Sequence, residues 1–453
     1  MPSLDVYLYG AYIADLEMLA PLQYRLTYSA AWLDDPNKMP VSLSLPVGAA
    51  PITGPTLTSF LDNLLPDNAD VRERWAIQAG LATAEPFELL RAYGADVAGA
   101  IQFADPGTDP NQIGSNNSSE PISDAEIAAR IRAIREDDTN WQDPDRDTGY
   151  FSLGGAQGKF SLGNAGQGWY EPTGSHPTTH IFKPRVRGQK DGELVEFITM
   201  TAARMAEINT ATVDIGIFES EHSLVVKRFD RLAVPASSGA GASSGAAPSS
   251  AASAKIIRVH QEDLAQAAGV TRLQKYESRG GPTYRDVLRL LDVHVPDERR
   301  AASKLTFVQA LVFSWMVLNT DAHAKNYSVF IGPDGVDLTP LYDVSSFIPY
   351  AGRADDDPRR TDAAFRKTNL SMRIAADYPA GQQSWFEWGA VAREAGLSRV
   401  LVTDWASAVA DSLPQLITAA ASSLPSHLQT DVVARFVERT PIRAAQVIAA
   451  IGR

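Results

Sequence analysis

Asp321 and Asn326 are the two residues of this sequence whose types and spacing most directly indicate chemistry. They lie in the stretch 319–326, and Asp343 follows a short distance along the chain. An ionised aspartate can accept the proton of an attacking hydroxyl, while an asparagine carbonyl oxygen can ligate magnesium without adding charge. Asp343 would supply a second metal-binding carboxylate. The three residues favour magnesium-dependent phosphoryl transfer from ATP as the central hypothesis.

Two apolar segments flank this loop and would hold it in position. Residues 307–318 predict a buried helix, and residues 327–331 predict a strand. An Asp and an Asn in a loop can also simply cap the neighbouring elements, and Asp343 could be a turn residue at a strand end. The buried flanks and the third carboxylate favour the catalytic interpretation, because protein kinases use this spacing of Asp and Asn in their catalytic loop.

His323, inside the same loop, could be a metal ligand or a general base. The chain has only 7 histidines, scattered along its length, and a zinc site needs several ligands close together. We therefore expect His323 to have a structural role, forming hydrogen bonds within the loop.

Two other segments place basic residues at the ends of predicted strands. Lys183 ends the apolar run 179–183, from which it could reach ATP phosphates, although a lone lysine at a strand end is more often a surface residue. The segment 227–231, Lys-Arg-Phe-Asp-Arg, ends another apolar strand. It could form a hinge whose backbone pairs with adenine, or it could be an ordinary charged strand terminus.

A glycine-rich turn, Ser-Leu-Gly-Gly-Ala-Gln-Gly-Lys, occupies residues 152–159. Small residues allow backbone N–H groups to approach phosphate oxygens. The turn is not a Walker A loop, because Leu153 stands where that motif needs glycine and Phe160 where it needs Ser or Thr. From spacing alone, it could be only a tight hairpin.

Composition restricts the class of protein. The chain has 453 residues, of which 44% are hydrophobic and 21% charged, as in ordinary globular proteins with two or three domains. It has no cysteine, which excludes disulfides and thiolate sites. Its net charge of −13 argues against a surface that binds nucleic acid throughout. Neither a signal peptide nor a membrane-spanning stretch is visible, so we expect a cytoplasmic protein that does not enter a membrane.

The order of predicted elements indicates an α/β first half and a helical last third. Ser123 and Glu126 predict a capping box at the start of a helix. Residues 235–254 consist only of Pro, Ala, Ser and Gly, which predicts a flexible insertion of minor mechanistic importance. After about residue 262 the patterns are mainly helical.

Taken together, the motifs resemble the HipA family, serine/threonine kinases that act as toxins of type II toxin–antitoxin modules. The resemblance covers nearly the whole chain, and its motifs occur in the family's order. The motifs are 42–46 (SLSLP), 60–68 (FLDNLLPDN), 154–159 (GGAQGK), 179–183 (THIFK), 226–231 (VKRFDR), 261–263 (QED), 320–328 (TDAHAKNYS) and 338–343 (LTPLYD).

The resemblance implies a role for each matching residue. Asp321 would be the catalytic base, Asn326 and Asp343 would bind magnesium, and Lys183 would contact the ATP phosphates. The other residues implied to bind the nucleotide are Gly154, Gly155, Ala156, Gln157, Gly158 and Lys159 of the phosphate loop, Lys227, Arg228 and Phe229 of the hinge, and His323, Lys325 and Tyr342.

Ser152 aligns with the serine that the family autophosphorylates, a modification that ejects the loop and stops the kinase. A phosphate there would add about −1.5 to −2 charge, incompatible with a loop that must hold triphosphate. The loop departs from the family pattern at Gly154, where Ala is common, and at Gly158, where a larger residue is common. Both glycines should make it more flexible.

The resemblance implies an α+β/α fold, a protein-kinase-like two-lobe fold of the HipA type with an α/β N-terminal half and an all-α C-terminal half. The expected divisions are a HipA N-terminal-like subdomain at 1–148, a nucleotide-binding α/β lobe at 149–258 with the flexible insertion 235–254, and an all-helical C-terminal kinase lobe at 259–453 with the catalytic loop 319–326. ATP and Mg²⁺ would bind between the lobes.

The resemblance also implies partners. The protein substrate would be an aminoacyl-tRNA synthetase, above all glutamyl-tRNA synthetase, and its inactivation would stall translation and promote dormancy. A small HipB-like helix-turn-helix antitoxin would neutralise the kinase and would carry most of the contacts to operator DNA. Two alternatives remain open: an antitoxin-bound transcriptional corepressor with weak kinase activity, and a small-molecule phosphotransferase with the same catalytic layout.

Overall fold

The computed structural model describes residues 1–109, 119–141, 154–164, 166, 168–173, 176–234, 255–353, 355 and 357–452. The autophosphorylation site predicted at Ser152 and the flexible insertion predicted at 235–254 lie outside these ranges. Within the ranges, no helix combines the length and apolar character that crossing a membrane requires.

The first part of the chain is an antiparallel sheet with helices packed against it. Its elements are β1 (Ser3–Leu8), β2 (Ala11–Ala20), β3 (Gln23–Tyr28), α1 (Ala30–Asp34), β4 (Ile52–Thr53), α2 (Pro55–Asn63), α3 (Ala69–Gln78), α4 (Pro86–Tyr93) and β5 (Ile101–Ala104). The strand order is β4-β3-β2-β1-β5. Tyr9 and Gly10 both have positive φ, 54° and 81°, and form the tight turn between β1 and β2.

A second antiparallel sheet carries the predicted nucleotide-binding segments. Its elements are β6 (Ser119–Pro121), α5 (Asp124–Glu136), β7 (Phe160–Asn164), β8 (Trp169–Pro172), β9 (His180–Pro184), α6 (Gly192–Met205), β10 (Val213–Phe218) and β11 (Glu221–Lys227). The strand order is β10-β11-β9-β7-β8-β6. The capping box that Ser123 and Glu126 predict is confirmed at the start of α5, and the apolar side of α5 packs on Phe160 and Phe182.

Helix α6 is enclosed by the rest of the protein. Every residue from Glu193 to Ala203 is buried, which is typical of a helix covered on all faces. The segment after it is joined by hydrogen bonds to the segment that leads to Asp343. Leu341 N donates to Asn209 O at 2.8 Å, and Ala211 N donates to Leu341 O at 2.9 Å. These bonds link the segment after α6 to Leu341, just before the predicted metal-binding carboxylate Asp343.

The last part of the chain contains helices and short sheets. Its elements are β12 (Arg231–Val234), β13 (Lys255–Arg258), β14 (Gln261–Asp263), α7 (Leu264–Ala267), α8 (Tyr284–His294), α9 (Asp297–Met316), β15 (Ser328–Gly332), β16 (Gly335–Leu338), α10 (Pro358–Lys367), β17 (Asn369–Ile374), β18 (Asp377–Pro379), α11 (Trp385–Glu394), α12 (Arg399–Ser422) and α13 (Asp431–Ile451). The long helices α12 and α13 pack against each other and against α6.

The prediction that the C-terminal half is entirely helical is wrong, because this half also contains two small sheets. Strands β14, β15 and β16 form a three-stranded sheet, and β17 pairs with β18. The segment Gln261–Asp263 pairs with β15, the strand that follows the catalytic loop. The strand predicted at 327–331 corresponds to β15, whereas the other four strands, only 3 to 6 residues long, are too short to produce a distinct alternating pattern within a mainly helical region.

Candidate active site

The predicted catalytic loop connects α9 to β15. Leu318 has a positive φ of 52°, which turns the chain away from the helix axis. Asn319 Oδ1 accepts a hydrogen bond from Asp321 N at 3.1 Å, and Asn326 Nδ2 donates to Asp321 O at 2.6 Å. These bonds fix the main chain at both sides of Asp321, whose side chain is 60% exposed. The loop therefore presents a rigidly held but accessible carboxylate.

The carboxylate of Asp321 has two aromatic neighbours. Tyr276 donates its hydroxyl to Asp321 Oδ1 at 2.5 Å. The His323 ring stands edge-on to Tyr276, with centroids 4.8 Å apart, and its Nε2 lies 3.8 Å from Asp321 Oδ1. Burial lowers the pKa of His323 and outweighs the opposing effect of Asp321. His323 is thus neutral and buried, but its ring does not form the hydrogen bonds expected from the sequence, because Nδ1 has no hydrogen-bond partner among the described residues and Nε2 lies 3.8 Å from Asp321 Oδ1.

Lys183 joins the second sheet to the segment that carries Asp343. Its Nζ lies 2.7 Å from Glu196 Oε1 on α6 and 2.7 Å from Asp343 Oδ1. Burial disfavours the charge on Lys183, but the two carboxylates together raise its pKa above the usual range. Lys183 is therefore a permanent cation that ties a strand, a helix and the predicted metal ligand together.

The two carboxylates beside Lys183 differ in environment. Burial raises the pKa of Glu196, and Lys183 offsets part of this rise. Burial also acts to raise the pKa of Asp343, but Lys183 outweighs it and lowers that pKa to about 2. The Asp343 side chain is 40% exposed, whereas that of Glu196 is 6% exposed. Asp343 is thus an ionised, accessible oxygen donor, and its backbone adopts a positive φ of 58°.

The glycine-rich turn folds back on its own lysine. Gly155 has a φ of 101°, and a Cβ there would lie 2.6 Å from Lys159 Nζ. Lys159 donates to Gly154 O and lies over the Trp141 ring, 5.0 Å from its centroid. Burial and the nearby Lys183 lower the pKa of Lys159 to about 8. Lys159 and Lys183 therefore supply positive charge on the side of the site where phosphates are expected.

The structure gives a steric reason for glycine at position 158, where the family commonly has a larger residue. A Cβ at this position would lie 2.8 Å from Ile134 Cγ2 and 3.0 Å from Asp138 O, at the end of α5. The turn therefore lies directly against the end of α5. The absence of a side chain at Gly158 permits this close contact, so the glycine has a packing role.

The hinge residues fall into different environments. Lys227 is exposed and its N–H donates to Thr212 O at 2.9 Å. Phe229 packs against Tyr342, with ring centroids 5.4 Å apart. Tyr342 in turn donates to Lys325 O at 2.7 Å, which connects the hinge to the catalytic loop.

The side chain of Arg228 does not join this group. Its guanidinium bonds Asp230 at 2.8 and 2.9 Å and Thr178 Oγ1 at 2.8 Å, and only 2% of the side chain is exposed. The hinge prediction concerns main-chain contacts with adenine and stays a prediction, but the side chain of Arg228 is held elsewhere and is not placed to contact a nucleotide. We call the buried group to which it belongs the domain-joining cluster. Its members are Asp96, Arg228, Asp230, Arg231 and Arg258.

Glu196 and Tyr276 are two residues of the site that the sequence analysis missed. Glu196 is the one acidic residue within the apolar run 194–200, and a lone charge in an otherwise apolar helix is a signal for a buried partner. Tyr276 lies far from Asp321 in the sequence and carries no comparable signal. We call Lys159, Lys183, Glu196 and Asp343 the catalytic cluster.

The donor set suits magnesium better than a metal held by protein alone. In the described ranges, no three His, Asp or Glu side chains are arranged to hold a metal ion. Magnesium commonly takes one or two carboxylates and completes its shell with phosphate oxygens and water. Asp343 offers an ionised carboxylate oxygen. The Nδ2 of Asn326 is used in its bond to Asp321 O, which leaves the Oδ1 of Asn326 as the atom that could hold a cation.

Comparisons with known proteins cover both parts of this arrangement. A model of the HipA N-terminal domain matches residues 4–104, and a model of the HipA-like C-terminal domain matches residues 151–417. The serine/threonine-protein kinase toxin HipA of Shewanella oneidensis is 29% identical over 457 residues, which cover 96% of this chain and 95% of that protein. Y4mE of Sinorhizobium fredii, which has a provisional kinase name, is 30% identical over 392 residues, 86% of this chain and 85% of that protein.

A solved structure extends the similarity to the whole fold. A chain of the Shewanella oneidensis complex of HipA, HipB and operator DNA superimposes with a TM-score of 0.77 and 26% identity, over 99% of this chain and 98% of that chain. The two-lobe architecture predicted from the sequence is thereby confirmed.

Proposed function

Because the chain belongs to the HipA family and is a protein kinase of that family, we propose that it transfers the γ-phosphoryl group of ATP, with magnesium, to a serine or threonine of another protein. The observation that carries this proposal is Lys183, held between Glu196 and Asp343. Protein kinases use a strand lysine paired with a helix glutamate to hold the phosphates.

Different residues of the chain carry out proton acceptance, phosphate binding and cation binding. Asp321 accepts the proton of the acceptor hydroxyl, and its exposure leaves room for that hydroxyl to approach. Lys183 and Lys159 would donate to phosphate oxygens, while Asp343 and Asn326 would hold the magnesium ion. When bound, ATP would supply the phosphoryl group and magnesium would neutralise charge on its phosphates. Most of the catalysis comes from positioning and charge compensation rather than from covalent chemistry by the protein.

The biological role follows the family. We propose a cytoplasmic toxin that phosphorylates an aminoacyl-tRNA synthetase, with glutamyl-tRNA synthetase the first candidate, and that thereby inhibits translation. A HipB-like helix-turn-helix antitoxin would bind it and carry the complex to operator DNA. The similarity to a chain of a HipA, HipB and operator DNA complex supports this partner. Ser152 is proposed as the site of autophosphorylation.

A labelling experiment tests the kinase proposal. Labelled ATP, magnesium and a bacterial lysate are incubated with the wild-type protein, with Asp321→Ala and with Ser152→Ala. We expect one dominant labelled lysate protein, to be identified by mass spectrometry, and self-labelling that Ser152→Ala removes. Asp321→Ala should reduce both signals by roughly 10²- to 10⁴-fold, the usual contribution of a general base.

The controls separate the alternatives. Asp334→Asn, an exposed carboxylate in the turn between β15 and β16, should label like the wild type. A labelled metabolite in place of a labelled protein would favour a small-molecule phosphotransferase. Absence of label with operator binding retained would favour a corepressor. Undiminished labelling by Asp321→Ala would refute the assigned base.

A further inference from the structure

The end of helix α2 and the turn that follows it reach into the kinase site from the N-terminal sheet region. Asn63 is the last residue of α2 and Asp67 lies in the turn, and together they contact the catalytic loop and the glycine-rich turn. Neither residue belongs to the two segments that the kinase mechanism uses, and both lie in the range that the HipA N-terminal domain model matches. The contacts therefore connect two regions that family models treat separately.

Asn63 holds the lysine of the catalytic loop. Lys325 Nζ donates to Asn63 Oδ1 at 2.9 Å and to Asn63 O at 3.2 Å. The amide of Asn63 is in turn fixed, because its Nδ2 donates to Ser59 O and to Val270 O, both at 2.9 Å. Asn63 is 3% exposed and Lys325 is 7% exposed. A buried ammonium is thus oriented by an amide whose own rotation is locked on both sides.

Asp67 supports both sides of the site. Its N–H donates to Gly155 O at 2.8 Å, which attaches it to the glycine-rich turn. Its carboxylate lies 3.6 Å from Lys325 Nζ through Oδ1 and 2.9 Å from Lys275 Nζ through Oδ2. Burial acts to raise the pKa of Asp67, but Lys325 and Lys275 together lower it to about 2, so the carboxylate stays ionised.

Space is tight where the two loops meet. A Cβ on Gly154 would lie 3.2 Å from Asn63 O and 3.5 Å from Lys325 Nζ. Lys275, which pairs with Asp67, also accepts the N–H of Ala324 through its carbonyl at 3.1 Å. The catalytic loop, the glycine-rich turn and the end of α2 therefore have a fixed relative position.

We propose that Asn63 and Asp67 are positioning residues of the phosphoryl transfer, through which the N-terminal region sets the distance between the phosphate loop and the catalytic loop. The inference rests on the proposed kinase function. The two residues act through Lys325 and Gly155 and need not touch ATP or the acceptor. A displacement of the catalytic loop by about 1 Å should lower kcat more than it lowers the affinity for ATP, because the reaction depends on the exact placement of the reacting groups.

The first test uses full-length Asn63→Ala and Asp67→Asn in the lysate labelling assay. Asn63→Ala should lower kcat by roughly 10- to 100-fold, the loss expected when a hydrogen bond to a buried charge is removed, with the KM for ATP nearly unchanged. Asp67→Asn should lower kcat less, because its N–H bond to Gly155 is retained. Asn68→Ala is the matched control: Asn68 lies in the same turn but caps only α3, through Asp70 N at 2.9 Å.

A double-mutant cycle separates positioning from a purely structural role. Once Lys325→Met has removed the ammonium and with it the bonds to Asn63, Asp67 and Asp263, adding Asn63→Ala should cause little further loss of kcat, because the Asn63–Lys325 interaction is already absent. Asn68→Ala should combine additively with Lys325→Met. Additive losses for Asn63→Ala and Lys325→Met would overturn the proposal.

Amide hydrogen exchange gives a readout that does not depend on activity. In Asn63→Ala, residues 317–327 and 154–159 should exchange faster than in the wild type, whereas Asn68→Ala should change neither segment. Unchanged exchange in both segments would also overturn the proposal, even if the variant lost activity. Absence of labelling by the wild-type protein, with faster exchange in Asn63→Ala, would contradict the kinase function and leave the loop coupling supported.

Discussion

The catalytic cluster and the domain-joining cluster are both groups of buried charges around the second sheet, but they differ in what their charges are bonded to. In the domain-joining cluster, Asp96 and Asp230 are 3% and 6% exposed, and arginines surround both. In the catalytic cluster, the Asp343 side chain is 40% exposed and Lys159 is bonded to a main-chain carbonyl. A charge surrounded by partners holds elements together, whereas a charge that keeps an open side can bind a ligand.

The clusters also differ in position along the chain. Asp96 belongs to the N-terminal region, and it is reached by Arg228, just after β11, and by Arg231 and Arg258 of the paired strands β12 and β13. Breaking this cluster should therefore affect how the regions hold together, whereas breaking the catalytic cluster should affect turnover.

The largest effect is expected from Arg231→Met in the domain-joining cluster. The change leaves Asp96 and Asp230 buried with one partner fewer, so the free energy of unfolding should fall by about 3–5 kcal/mol in urea denaturation. Arg91→Met is the matched control, because the Arg91–Asp105 pair is half exposed and should contribute no more than about 1 kcal/mol. Equal losses in the two variants would show that the buried cluster has no special role in stability.

The second effect tests the opposite expectation for the catalytic cluster. Lys183→Met should lower kcat/KM for ATP by roughly 10²- to 10³-fold, as removal of a preorganised donor does. It should destabilise the protein less than Arg231→Met, because Asp343 can be hydrated and Glu196, whose pKa is already raised by burial, can take up a proton. A loss of stability that matches Arg231→Met, with activity retained, would reverse the two assignments.

The third effect is a dependence on pH. The pKa of Lys159 is lowered to about 8, so Lys159 is protonated at pH 7 and loses its charge as the pH rises through about 8. Phosphates bind the charged form, so the KM for ATP should rise above pH 8 by up to about tenfold per pH unit. ATP binding is measured from pH 7.5 to 9.5, where a phosphate is already fully ionised. Lys159→Arg should remove the rise, and an unchanged profile in that variant would assign the titration to another group.

The smallest effect is expected from removing the Tyr276 hydroxyl, which contacts the exposed carboxylate of Asp321. The Tyr276 hydroxyl bonds the same carboxylate that we propose accepts the acceptor's proton. Tyr276→Phe keeps the ring against His323 but removes this competition, so kcat/KM for the protein acceptor should rise by roughly 2- to 10-fold, a modest gain because water can replace the hydroxyl at the exposed Asp321 carboxylate. The KM for ATP serves as the internal control and should not change. A fall in activity would mean that the hydroxyl orients Asp321 for catalysis.

Arg228 and Lys183 show how far sequence reasoning reaches. Both follow apolar strands, and both were assigned to the nucleotide. Lys183 lies beside Glu196 and Asp343, whereas Arg228 bonds Asp230, two residues along the chain, and also Asp96, 132 residues earlier, a second pairing of which the sequence gave no local sign. Local patterns predict where a strand ends, but they do not identify which distant carboxylate meets the side chain there.

The same limit explains the residues that were missed. The elements of the catalytic loop have strong local signals: an apolar helix, a loop with Asp and Asn, and an apolar strand. Tyr276 and the three-stranded sheet β14–β15–β16 depend on pairings between distant segments. Glu196 did have a local signal, a charge inside an apolar helix, and it could have been found by asking where its partner was.

The enclosure of α6 has a consequence for inhibition. Many kinases are turned off by swinging the corresponding helix outward, which separates its glutamate from the strand lysine. In this protein the helix is buried from Glu193 to Ala203 and is tied through Asn209 and Ala211 to Leu341, just before Asp343. Outward movement would expose a continuous apolar surface and break the lobe contacts at the same time. Compounds designed to trap a helix-out state should therefore find no binding site here, and useful inhibitors would have to compete with ATP or with the acceptor.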